Sequence, residues 1–137
     1  MFDLKCGDCL ELMKEIPDRS VDMILCDPPY GTTQNKWDSV IPLDKMWEQY
    51  HRITKPEAAI VIHCMQPFSS LLVSSNLKEF KYMWYWDKHS KTGFLNAKKQ
   101  PLRQVEEIAV FYRKQSRFTP PRKKRETTYE KQAGESG

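Results

Sequence analysis

Val21 to Cys26 is apolar apart from Asp22, and Asp27-Pro28-Pro29-Tyr30-Gly31 stops the run at once. A short, nearly continuous apolar segment bounded by turn residues reads as a strand covered on both faces, the usual state of a parallel strand. Ala58 to Cys64 is a second segment of the same kind. Between them Leu43, Met46, Trp47, Tyr50 and Ile53 recur at helical spacing, with Pro42 suited to a first turn. Strand, crossover helix and strand form the unit from which parallel sheets are built.

The flanking segments extend this alternation. Phe2 to Lys5 is a short strand candidate, and Cys9 to Ile16 places Cys9, Leu10, Leu12, Met13 and Ile16 on one helical side before Pro17-Asp18 ends the helix. Pro67 to Asn76 reads as a third helix. From Phe80 the period changes to two, with Phe80, Tyr82, Trp84 and Trp86 on one face, and Val105 to Tyr112 makes a further apolar strand. Two strands in succession without a helix imply an antiparallel pair. The expected fold class is therefore α/β, a mostly parallel sheet with an antiparallel edge hairpin. Trp84 and Trp86 are expected in the sheet core. With 137 residues the chain has room for one domain, placed at residues 1–113. Residues 114–137, with Arg122-Lys123-Lys124-Arg125 and little to bury, are expected to form a basic, disordered tail.

Composition excludes several function classes. No apolar run approaches the roughly 20 residues of a bilayer span, and the amino end carries no basic region followed by an apolar stretch, so a cytoplasmic protein with no membrane partner is expected. Cys6, Cys9, Cys26 and Cys64 read as reduced thiols. Cys6 and Cys9 form a C-x-x-C, but His51, His63 and His89 show no paired spacing that would complete a zinc site, so no metal is expected. The net charge of +4 conceals a separation: residues 1–87 hold nine basic against thirteen acidic side chains, whereas residues 88–125 hold twelve against two. A concentrated basic block suits a polyanion such as DNA, because each neutralised phosphate releases counterions. Lys88, Lys98, Lys99 and Arg103, in or beside the loop between the last strands, are the candidate phosphate contacts.

Asp27-Pro28-Pro29-Tyr30 stands at the carboxyl end of a buried strand, where open α/β sheets hold ligands. Two prolines stiffen the backbone. A carboxylate and a fixed carbonyl can then accept both hydrogens of one amino group, and an aromatic ring nearby can stack on the plane that carries the amine. An amine on a flat ring describes a nucleobase.

These residues resemble the motif of the DNA amino-methyltransferases that modify exocyclic nitrogens, in which Asp, Asn or Ser precedes two prolines and an aromatic ring. Gly7-Asp8-Cys9-Leu10, Lys36-Trp37-Asp38, Gln66-Pro67-Phe68-Ser69, Trp86-Asp87-Lys88, the run Thr92 to Pro101 and the strand Glu106 to Tyr112 are also similar to members of that family. The resemblance covers residues 4 to about 113. It implies a Rossmann-like methyltransferase sheet, S-adenosylmethionine as cofactor, and double-stranded DNA as substrate with the target base flipped from the stack. By resemblance Asp27, Pro28, Pro29 and Tyr30 are the catalytic segment, and Asp8 and Asp27 face the cofactor. Asp in the first position is the form more usual for adenine N6 than for cytosine N4. The family's Phe-x-Gly-x-Gly segment, which wraps the cofactor's methionine, has no counterpart after Tyr112. A truncated or split adenine methyltransferase is therefore expected, its cofactor loop supplied by a separate half, with a non-catalytic DNA-binding remnant as the alternative.

Overall fold

The computed structural model describes residues 1–35, 38–92, 98, 99, 101 and 103–120. In chain order the elements are α1 (Cys9–Met13), β1 (Val21–Cys26), α2 (Leu43–Ile53), β2 (Thr54–Cys64), α3 (Phe68–Ser75), β3 (Phe80–Thr92) and β4 (Arg103–Phe111). They form one four-stranded sheet in the order β1-β2-β4-β3. β1 and β2 are parallel, with Ile24 beside Ile60 and Cys26 beside Ile62. β4 is antiparallel to both β2 and β3, so parallel pairing, expected for most of the sheet, is confined to its first two strands. α2 supplies the crossover between β1 and β2, as its spacing predicts.

The core lies on one face of this sheet. Met46, Trp47, Tyr50 and Ile53 of α2 and Phe68 and Leu72 of α3 pack with Ile60, Ile62 and Cys64 of β2 and Ala109 and Phe111 of β4. α2 passes into β2 without a loop. The Thr54 hydroxyl donates to the Tyr50 carbonyl at 2.6 Å, satisfying one of the carbonyls that a helix end leaves open. Two arginines tie this corner to the rest of the chain. Arg52 donates to the Met13 carbonyl (2.6 Å), the Ile16 carbonyl (2.8 Å) and the Asp18 carboxylate (2.6 Å), holding the α1–β1 connection against α2. Arg113 donates to the carbonyls of His51, Thr54 and Lys55 and to the Thr54 hydroxyl.

The opposite face departs from the expectation. Met23 and Leu25 are 53% and 67% exposed, so β1 is an edge strand with one face open rather than a strand covered on both. Trp84 and Trp86, expected in the core, are about half exposed on the same face as Met23 and Leu25. A bulge explains why Phe80 does not join them. Between Phe80 and Tyr82 the register to β4 shifts by one residue, so Phe80 turns onto the core face, its ring 5.6 Å from that of Phe111, while Tyr82, Trp84 and Trp86 turn away. Replacing Leu25 by Gln is accordingly expected to change the free energy of unfolding by less than about 0.5 kcal/mol. Urea denaturation checks this, and a loss of 2 kcal/mol or more would show the face to be covered.

Phe2 to Lys5, a strand candidate by sequence, forms no strand. Phe2 and Leu4 are almost fully exposed, because an extended segment is stable only where a neighbouring strand takes its backbone groups. The first helix is shorter than its apolar spacing predicts. Asp8 caps it, accepting from the amides of Leu10 (2.8 Å) and Glu11 (3.4 Å), and the turn from Lys14 to Ile16 tightens before Pro17. Beyond β4, residues 114–120 have no regular structure, but Lys114 donates its amide to the Pro56 carbonyl and Ser116 its hydroxyl to that of Glu57. The basic run 122–125 lies outside the described residues. No described helix is long and apolar enough to cross a membrane.

Candidate active site

β1 and β2 run in the same direction, so Cys26 and Cys64 end at the same edge of the sheet, and the Asp27-Pro28-Pro29-Tyr30 segment leaves the sheet there. The segment borders a cleft of about 390 Å³ lined by Asp27, Pro28, Pro29, Tyr30, Thr32, Thr33 and Asp38. That volume falls within the usual range of small-molecule sites.

Asp27 is exposed, and its Oδ1 accepts from the Tyr30 hydroxyl at 2.6 Å. Burial, and then this bond to a carboxylate, push the Tyr30 hydroxyl well above its ordinary range, so it remains a donor. The Tyr30 ring stacks on Phe68, with centroids 5.5 Å apart and planes 25° from parallel. Phe68 opens α3 and is 2% exposed, so the core itself fixes the plane of Tyr30. Pro28 is buried, and among the described residues no donor is bonded to its carbonyl oxygen. The site thus presents an exposed carboxylate, of which the tyrosine occupies one of several acceptor positions, beside an unbonded prolyl carbonyl.

Asp38, only 7% exposed, also lines the cleft. Its Oδ1 accepts from the Gly31 amide (2.8 Å), and its Oδ2 from the amides of Thr32 (2.9 Å) and Thr33 (2.6 Å). Hydrogen bonds from the Thr33 side chain and from these amides hold the Asp38 carboxyl below the usual carboxylate range.

The other residues predicted from sequence are dispersed. Asp8 uses its carboxylate to cap α1 and is not part of the cleft lining. Lys88 is ion-paired with Glu106, and both side chains are largely buried, so its charge is already partnered. Lys98 and Lys99 are exposed in a turn, and Arg103 opens β4 opposite Thr92. Lys88, Lys98 and Lys99 are not part of the cleft lining. The Cys26 and Cys64 thiols are pushed up mainly by burial, which suits inert thiols rather than nucleophiles. Asp38 and Phe68 are the residues that sequence reasoning did not assign. Their only signal was their place in Lys36-Trp37-Asp38 and Gln66-Pro67-Phe68-Ser69, similar to family members but without a stated role.

Among curated proteins, the type II methyltransferase M.BamHI of Bacillus amyloliquefaciens is 30% identical over 76 residues, which is 48% of this chain and 18% of that protein. M.BglII of Bacillus subtilis, also a type II methyltransferase, is 38% identical over 61 residues, 39% of this chain and 17% of its own length. Among solved structures, the cytosine-N4-specific PvuII DNA methyltransferase superposes with a TM-score of 0.61 at 17% identity, covering 80% of this chain and 48% of its own. The complex of M1.HpyAVI with SAM superposes with a TM-score of 0.65 at 21% identity, covering 88% and 59%. The likeness to these structures is one of fold, a Rossmann-like methyltransferase sheet. The chain spans under a fifth of these curated relatives and about half to three fifths of these solved structures. A model of the DNA methylase family, the N6 and N4 methyltransferases, matches residues 21–136. Because that match starts at β1 and takes in every strand of the sheet, the chain belongs to this DNA methylase family.

Proposed function

We propose that this chain is the base-holding half of a DNA methyltransferase that acts on the N6 amine of adenine flipped out of the duplex. The observation that carries the proposal is the pairing of an exposed carboxylate, Asp27, with the unbonded carbonyl of buried Pro28 at the mouth of a cleft large enough for a purine. An exocyclic amine is a weak nucleophile because its lone pair is delocalised into the ring. Hydrogen bonds from both its hydrogens to Asp27 and Pro28 favour the tetrahedral nitrogen that attacks, and they strengthen as positive charge develops there. The amine takes one of the Asp27 acceptor positions that the Tyr30 hydroxyl, bonded to Oδ1 at 2.6 Å, leaves free. Tyr30, braced by Phe68, then stands beside the base, where stacking typically contributes about 1–3 kcal/mol. No covalent enzyme intermediate is needed. Asp as the first motif residue supports adenine, while the fold neighbour PvuII methyltransferase is cytosine-N4-specific, so the identity of the base is part of the test.

S-adenosylmethionine, named in the M1.HpyAVI complex, would supply the methyl group as a sulfonium electrophile. The described residues do not fit it unaided. Asp8 is engaged by two amides of α1, and Gly31, with φ at 68°, belongs to a tight turn against Val40 and offers no open cradle. We therefore propose that the cofactor loop comes from a further half of the domain, packed beside β1 and over the open face that carries Leu25 and Trp84. DNA remains the proposed partner, with exposed Lys98 and Lys99 and the start of β4 at Arg103 near the phosphates. Lys88 serves this less well while Glu106 neutralises it.

The test is transfer of a tritiated methyl group from the cofactor to unmethylated DNA, by this chain alone and by this chain mixed with a separately expressed segment carrying Phe-x-Gly-x-Gly. The chain alone is expected to give background label and no micromolar cofactor affinity by calorimetry. The mixture is expected to place label in N6-methyladenine. Micromolar affinity in the chain alone would overturn the split reading, label in N4-methylcytosine the adenine assignment, and a silent mixture would favour a non-catalytic DNA-binding remnant.

A further inference from the structure

We propose that Asp38 is a positioning residue for the base-holding cleft, and that its carboxylate fixes the turn Gly31-Thr32-Thr33 as the wall against which the base is seated. The inference rests on the base-holding reading above and adds to it a residue outside the Pro-Pro motif. A carboxylate only 7% exposed must have strong partners, since an unpaired buried charge is costly. Three consecutive backbone amides, at 2.8, 2.9 and 2.6 Å, are those partners. Charge-assisted bonds of this kind are about twice as strong as neutral ones.

The position of these amides along the chain gives the contact its consequence. The first follows Tyr30 directly, and Thr32, Thr33 and Asp38 line the same cleft as Asp27 and Pro28. Gly31 adopts φ 68°, and a Cβ there would lie 2.8 Å from Val40 Cγ2, so Val40 packs closely against the turn. The loop closes on itself as well: the Asp38 amide donates to the Asn35 carbonyl at 3.0 Å. Tyr30 is thereby held from both ends, by the Phe68 stack on its ring and by Asp38 on the next peptide. Since Tyr30 in turn holds Asp27, Asp38 sets the geometry of the amine acceptor without touching the base.

The experiment uses the full chain labelled with 15N and deoxyadenosine monophosphate as the probe, read by NMR. In the wild type the nucleotide is expected to shift the amides of Asp27, Tyr30 and residues 31–33. In Asp38→Asn, which keeps the volume and loses the charge, exchange protection of the three amides should fall at least tenfold and the nucleotide dissociation constant should rise at least fivefold, with β2 amides unchanged. A pH series separates this role from mere filling of space. Because the carboxyl is held below its ordinary range, the protection is present above the usual carboxylate pKa and is lost as pH falls through the lowered value. Asp38→Asn should show no such acid loss. Asp27 and Tyr30 are the other titratable groups lining the cleft, and Asp27→Asn should leave the acid loss in place. If Asp38→Asn fails to fold, Thr33→Val, which removes the hydroxyl that helps hold the Asp38 carboxyl low and that also accepts from the Asn35 amide at 3.4 Å, should weaken nucleotide binding about two- to threefold. Unchanged affinity in the variant that is measured, against a responsive wild type, overturns the proposal. A wild type that ignores the nucleotide overturns the base-holding reading instead.

Discussion

Replacing Asp27 with alanine is expected to lower methyl transfer by the completed enzyme about 100- to 1,000-fold, the usual loss when one preorganised group facing developing charge is removed. The fold should hardly notice. Asp27 is exposed, and its one described side-chain bond is to the Tyr30 hydroxyl, which can turn to water once the carboxylate is gone. Changes at exposed positions of this kind usually stay within about 0.5 kcal/mol. Asp27→Asn should be milder, because one acceptor oxygen survives. Initial rates of label incorporation, measured beside a urea unfolding curve for each variant, check both halves of the statement. A variant that loses activity and stability together would mean that Asp27 serves the scaffold.

Phe111→Ala is expected to do the reverse and remove about 3–5 kcal/mol of stability, the range for deleting a buried aromatic ring. Phe111 has no exposed surface, and its ring lies 4.9 Å from that of Trp47 and 5.6 Å from that of Phe80. It joins α2, β3 and β4 at the middle of the only described core, so its loss opens a cavity that no single neighbour can fill. Domains are stable by only about 5–15 kcal/mol, so this one change should bring the chain close to the unfolding threshold. A urea midpoint within experimental error of the wild type would show that the core is centred elsewhere.

The helix over Leu43–Ile53 and the strands on either side of it were legible because their signal is local. Apolar spacing fixes which face of a helix is buried, and a short apolar run between turn residues has few other ways to fold. The motif at the end of β1 was legible for the same reason, since Asp27 to Tyr30 are consecutive and their chemistry lies in their order. Phe2 to Lys5 misled because a strand is a pairwise structure and its sequence says nothing of whether a neighbour is present. Trp84 and Trp86 misled because alternation shows that residues share a face but not whether anything lies over it. Phe80 was assigned to their face because one bulge residue reverses every side chain beyond it, and a bulge leaves little trace in composition.

By itself the sequence determined the order of elements, the crossover through α2 and the place of the Asp27-to-Tyr30 segment at a strand terminus. Each of these depends on residues near one another in the chain. Only the tertiary structure decided that β4 lies between β2 and β3, that one face of the sheet stays open, that Lys88 is neutralised by Glu106, and that Phe68 and Asp38 brace Tyr30 from two sides. Those outcomes depend on pairings between distant residues, where the energy lies in contact geometry, and no local pattern encodes that geometry.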